Sequence, residues 1–159
     1  MLFAKGRNNM ADRLMKRVSD SYTTQVQILT QGNLNGYNRL FGGKLMSWMD
    51  IVAGVAARRH SGKNVTTVSV DGLEFRAPAY ANDTLVLTAH LCYVGRTSMD
   101  VCVNVYVEEL SGEKRLINTA HFVMVALDEN EKPAEVPGLF LETEQQKREW
   151  QEAVERRNK

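Results

Sequence analysis

The sequence predicts an α+β domain in which one long apolar helix packs against a single antiparallel sheet. Three observations predict it. From Gly43 to about His60 the apolar residues Leu45, Met46, Trp48, Met49, Ile51, Val52 and Val55 recur at helical spacing. Four strand-like segments follow, separated by turn residues. A chain of 159 residues, 43% hydrophobic and 25% charged, suits one globular domain with a proper core rather than a disordered or fibrous chain. A sheet wrapped on one helix leaves edges and apolar surface uncovered, so a second copy of the chain is the expected partner.

Residues 1–20 are expected to be loosely ordered, with Arg13, Lys16 and Arg17 solvated, and they lack the apolar stretch of ~7–15 residues that marks a secretory leader. Residues 21–140 are expected to form the domain and 141–159 a C-terminal helix. Segment 23–29 alternates weakly and reads as a first strand; 30–42, rich in Gly and Asn, reads as a loop. The helix stops at Ser61-Gly62-Lys63-Asn64, with Arg58, Arg59 and His60 in the last turn, where cations complement the helix dipole. Segment 65–75, rich in Val and Thr, is closed off by Pro78, and 84–94 runs into the tight turn Gly95-Arg96-Thr97-Ser98. Met99, Val101, Val103, Val105 and Val107 then alternate with polar residues, as in a half-buried strand. Segment 115–127 is apolar on both faces, as a central strand would be. The run 142–159, acidic first and basic last, predicts an exposed terminal helix.

A formal charge of +1 gives no global attraction to nucleic acid or to an anionic membrane. No apolar run approaches the ~20 residues that span a bilayer. Cys92 and Cys102 lie in strand-like runs without metal or redox spacing, and read as free core or near-core thiols in a reducing cytoplasm. His60, His90 and His121 are far apart and read as structural; Trp48 and Met49 read as core.

Asp50 stands among Met, Trp, Ile and Val, where a carboxylate is costly unless something pairs or uses it. At about 100° per residue, Gly43, Ser47, Asp50, Gly54 and Ala57 share one narrow face. A solvated face would collect Lys, Glu and Gln; a face of small residues invites close approach by a ligand or another backbone. Asp50 there is either a structural surface residue or a general base or nucleophile. Gly42-Gly43 sits at the helix start, where unpaired N–H groups and the positive dipole end can hold an oxyanion.

The motif Asn35, then Gly42-Gly43, then Met49-Asp50-Ile-Val-Ala-Gly-Val-Ala-Ala resembles acyl-CoA thioesterases of the hotdog fold, the brain-type acyl-CoA hydrolase group and its bacterial relatives. The likeness continues through 65–75, Gly95-Arg-Thr-Ser98 and the Pro137 to Glu142-Thr-Glu tail, covering roughly residues 22–150. One position departs from it: the family's Gly three residues after the Asn is Asn38 here, a residue that also tolerates positive φ. By spacing, Asn35 rather than Asn38 is the expected working amide.

The resemblance implies a long helix wrapped by a curved sheet, a homodimer, and often a trimer of dimers. It implies hydrolysis of acyl-CoA to CoA and a free acid, with Asp50 activating water or attacking directly, Asn35 orienting water or polarising the carbonyl, and amides near Gly43 holding the oxyanion. No metal or redox cofactor is expected. Thr67 and Ser69 either line the site or simply follow strand propensity. Arg96, Thr97 and Ser98 either touch the CoA phosphates or pantetheine or serve the turn alone. The competing readings are a hotdog dehydratase or hydratase, which would pair a His with the carboxylate, and a non-catalytic acyl-CoA-binding module.

Overall fold

A computed structural model of the chain describes residues 12–159. In chain order it contains β1 (Met15–Arg17), α1 (Val18–Ser21), β2 (Thr23–Ile28), a 3-10 turn (Gln31–Asn33), α2 (Gly42–Ser61), β3 (Asn64–Phe75), β4 (Thr84–Val94), β5 (Ser98–Glu108), β6 (Lys114–Leu127), β7 (Gly138–Phe140) and α3 (Glu144–Arg157). Among the described residues β2, β4, β5, β6 and β3 form, in that order, one antiparallel sheet, while β1 and β7 pair in parallel beside it. The run 115–127 is indeed an interior strand, flanked by β5 and β3.

The concave face of the sheet holds α2. Leu45, Met49, Val52, Ala53 and Ala56 pack against Leu85, Leu87, Val101, Val103, Phe122 and Met124, all essentially fully buried. Each buried Leu, Val or Met side chain contributes roughly 1.5–3 kcal/mol, so this seam dominates the fold's stability. Trp48 and Met49 are core, as their spacing predicts. Gly62 ends α2 at φ +66°, donating its N–H to the Arg58 carbonyl at 2.8 Å, a left-handed cap that glycine adopts without Cβ strain.

Three expectations are corrected. The part of segment 1–20 that is described is not loose: β1 pairs with β7, Val18 and Ser21 are buried, and Ser21 Oγ accepts from the Leu91 amide. Residues 1–11 lie outside the described residues. Arg13 and Lys16 are not simply solvated, since Arg13 donates to the carbonyls of Val136 and Gly95 and Lys16 to that of Arg59. Three-residue strands carry too little periodicity to be read from sequence.

The terminal helix is not merely exposed either. One face of α3 docks on the outside of the sheet through buried Ala153, Trp150 against the Tyr93 ring at 4.4 Å, and Arg157 paired to Asp100. That docking buries Asp100, which alternation along β5 had left to solvent, together with Cys92 and Cys102, which are buried as expected of core or near-core thiols. Both thiols are free, and burial drives their pKa values upward, that of Cys102 to about 12.

Two histidines tie the structure to pH. Burial lowers the pKa of His60, whose Nε2 lies 2.8 Å from the Pro137 carbonyl, and of His121, which Arg156 lowers further. An imidazole held below its ordinary value of about 6.5 binds fewer protons folded than unfolded. Its contribution is therefore complete above pH ~6.5 and is lost as pH falls below it. The melting temperature is expected to drop between pH 7.5 and 5.5, and a His60→Gln, His121→Asn protein to show a shallower slope over that window by differential scanning fluorimetry.

Candidate active site

Loop, helix and edge strand each bring one polar group. In the loop before α2, Leu34 and Leu40 form a β-bridge, and Asn35 closes the turn between them. Its Oδ1 accepts from the amides of Tyr37 (2.9 Å) and Arg39 (3.3 Å). Because those donors are backbone amides, the side-chain amide is fixed, and only its Nδ2 is left to act outward. Asn38 takes φ +57°, the left-handed position of the turn, so its role is met by backbone conformation. The structure thus places Asn35, not Asn38, beside a cavity.

At the start of α2, Phe41 is the N-cap but supplies no side-chain cap, and its carbonyl accepts from Lys44 and Leu45. Among the described residues no acceptor takes the N–H of Gly42 or Gly43. A Cβ on Gly43 would lie 2.7 Å from Cε1 of Phe41, so glycine there admits the aromatic ring directly over the helix start.

Asp50 does not bear the burial cost that its apolar neighbours suggested: in the single chain it is exposed. Gly43, Ser47 and Asp50 face outward, where no element among the described residues covers them. Ala57, assigned to the same face, is instead fully buried, because α1 and the segment ending at Pro137 wrap the last turns of α2. The Thr67 hydroxyl donates to Asp50 Oδ1 at 2.6 Å, which orients the carboxylate and leaves Oδ2 open.

The structure separates Thr67 from Ser69. Thr67 pairs with Met124, an inward residue, whereas Ser69 pairs with Val123, an outward one, because β3 carries a bulge between them. The extra residue, Val68, shifts the alternation, so Thr67 faces α2 and Ser69 the far side of the sheet. The two residues that sequence considers together therefore lie on opposite faces, a separation that no residue pattern betrays. Arg96 is exposed and 3.4 Å from Glu135, while the carbonyls of Gly95, Arg96 and Thr97 are all taken by backbone or Arg13 donors. Thr67, Met124 and Met99 lie in one row across β3, β6 and β5, which puts the Arg96-Thr97-Ser98 turn two strands, about 10 Å, from Thr67.

Two concavities border this region. One, about 290 Å³, has Asn35 at its mouth and Leu40, Leu45, Phe75, Ala79 and Ile117 as walls. The other, about 770 Å³, lies past the C-terminal end of α2, with Arg58 and Lys63 facing Asp128 and Glu129. His60, His90 and His121 serve packing and ion pairing, His90 with Glu149 of α3, and none bonds Asp50. Among the described residues no group of His, Cys, Asp and Glu is arranged to hold a metal ion.

A long helix wrapped by a five-stranded antiparallel sheet, with a carboxylate midway along the helix and uncapped amides at its start, defines a hotdog-fold enzyme. The chain belongs to the thioesterase superfamily, whose family model matches residues 37–112. It is 41% identical over 125 residues to the Bacillus subtilis protein YkhA, described as an uncharacterized acyl-CoA thioester hydrolase, covering 78% of this chain and 73% of that one. Its fold matches an apo-hexameric acyl-CoA thioesterase with a TM-score of 0.88, at 34% identity over 91% of this chain and 94% of the other. It also matches the acyl-CoA hydrolase of Staphylococcus aureus in complex with butyryl-CoA, CoA and CoA disulfide, with a TM-score of 0.85, 32% identity, and coverage of 91% and 90%. Structures of that hydrolase exist with an asparagine, an aspartate and a threonine each replaced by alanine, and the three are spaced along their chain as Asn35, Asp50 and Thr67 are here.

Proposed function

We propose that this protein hydrolyses acyl-CoA thioesters to CoA and a carboxylic acid, with Asp50 as the reacting carboxylate. The observation that carries the reading is the Thr67–Asp50 hydrogen bond of 2.6 Å on an outward face of α2, which holds one carboxylate oxygen and presents the other. That free oxygen either takes a proton from water as water attacks the thioester carbon, or attacks that carbon itself to give an anhydride that water then splits. Asn35 acts as a donor, since its Oδ1 is occupied, and so stabilises the carbonyl oxygen or positions the water through Nδ2. The free amides of Gly42 and Gly43 complete the donor set for the oxyanion. A carboxylate, an amide and backbone N–H groups suffice for this chemistry without a metal or redox group.

The site is built from two copies of the chain. Gly43 and Asp50 are seven residues, or about 10 Å, apart along α2, whereas one thioester carbonyl must lie within about 3–3.5 Å of both its donors and its attacking group. Among the described residues no hydrogen bond links Asn35 to Asp50. The outer edge of β3 is twelve residues long with Val68, Leu73 and Phe75 exposed, a sheet edge suited to pairing with a second copy. Pairing there brings the loop and helix start of one subunit to Asp50 of the other. The hexameric relative favours three such dimers in the full assembly. Arg96, exposed in the turn that leads into β5, would meet the CoA phosphates in this reading, with Thr97 and Ser98 shaping that turn.

The test is thiol release from acetyl-, butyryl-, octanoyl- and palmitoyl-CoA, followed with a thiol reagent. Free CoA in proportion to carboxylic acid is expected. Loss of enoyl absorbance without thiol would instead identify a hydratase, and saturable binding without product an acyl-CoA-binding module.

A further inference from the structure

We propose that the cavity beside Asn35 is the acyl pocket, that it takes straight alkyl chains of short to medium length, and that Ala79 and Ile117 set its depth. This rests on the hydrolase reading above and goes beyond it by naming the substrate class and the residues that choose it.

The cavity joins the reacting centre at two points. Asn35 stands at its mouth with Nδ2 free, and Phe75, one of its walls, lies 3.7 Å from where a Cβ on Gly42 would be. A thioester oxygen held by the Gly42 and Gly43 amides therefore directs its alkyl chain past the Phe75 ring and inward. Leu40, Leu45, Phe75 and Ile117 give the cavity apolar walls, whereas its polar lining residues Asn35, Arg39 and Arg76 are exposed and sit at the rim. An alkyl chain leaves water for such a lining favourably, whereas a charged chain end carried to its floor would meet no partner.

The floor is rigid. Ala79 and Ile117 are both 2% exposed, and their carbonyls accept from the amides of Leu40 and Arg76 at 2.8 and 2.9 Å. A floor pinned by backbone hydrogen bonds does not retreat before a longer chain, so selection has a cutoff rather than a gradual decline. At about 290 Å³, and roughly 30 Å³ for each water-sized group, the space holds about eight to ten carbons.

The experiment measures kcat/KM along a series of saturated acyl-CoAs. Each methylene buried up to about eight carbons is expected to raise kcat/KM roughly fourfold, and kcat/KM is expected to fall at least ~10-fold once the chain exceeds the cavity. Ala79→Leu fills the floor and is expected to lower the ratio of kcat/KM for octanoyl-CoA to that for acetyl-CoA at least ~10-fold. Ile117→Ala deepens it and moves the optimum to longer chains, which keeps the idea testable if Ala79→Leu fails to fold. An octanoyl-CoA analogue with a terminal carboxylate is expected to be at least ~10-fold poorer than octanoyl-CoA itself. Equal losses at every chain length in both variants, or a preference for the carboxylate-tipped chain, would overturn the assignment of this pocket alone. A wild-type protein that releases no CoA from any member of the series defeats the hydrolase reading, and the pocket with it.

Discussion

Asp50→Ala is expected to lower kcat for acyl-CoA hydrolysis by at least ~10²-fold, the scale of losing a general base, while the protein stays folded and oligomeric. The structure separates the two effects in advance. Asp50 is exposed in the single chain, and among the described residues its side chain accepts a hydrogen bond from Thr67 and takes no part in the hydrophobic core. Removing it therefore costs stability little, about the net value of one exposed hydrogen bond, near 1 kcal/mol. Thr67→Val should fall between the variant and the wild type: the carboxylate remains but loses its orienting donor, and about a tenfold loss in kcat is expected with KM little changed. Turnover at the wild-type level in Asp50→Ala would return this aspartate to an ordinary surface residue. Circular dichroism and light scattering on the same samples distinguish lost chemistry from lost structure.

The elements that sequence reveals here are those with long, regular patterns. α2 shows itself through seven apolar residues at helical spacing, and β5 through five valine or methionine positions at period two, because burial on one face repeats over many residues. Asp50 and the Gly42-Gly43 pair stand out in the sequence because their types are out of place, an aspartate in an apolar helix and glycines at its start, whereas Asn35 is singled out by the family resemblance alone. What stayed hidden depended on single residues. One extra residue at Val68 sends Thr67 to the helix and Ser69 to the opposite face, and period-two reasoning has no means of locating such a slip. The burial of Asp100 depends on where α3 lands, a long-range contact that no local pattern encodes. The exposure of Asp50, one of the two readings its sequence context allows, has the converse origin. The small residues beside it anticipate a surface belonging to a second chain, so the sequence describes an assembly that one subunit does not contain.

That second chain supplies the sharpest test. If Asn35 of one subunit works with Asp50 of the other, inactive Asn35→Ala and Asp50→Ala proteins, unfolded together and refolded, are expected to restore each other in part. With random pairing about half the dimers are mixed. In a mixed dimer one site combines the intact Asn35 with the intact Asp50, and the other carries both alanines. Half the sites in half the dimers then work, so activity recovers to about a quarter of that of wild type. Neither parent has an intact site to begin with, so any rise above their background reports composite sites and nothing else. The physical basis is the ~10 Å that separates the Gly43 amide from Asp50 on one helix, too far for one carbonyl to meet both. Native mass spectrometry on the refolded mixture measures the mixed fraction directly. Mixed dimers present at half the total, with activity no higher than in the parents, would mean that each site is complete within one chain and that the exposed β3 edge serves assembly alone.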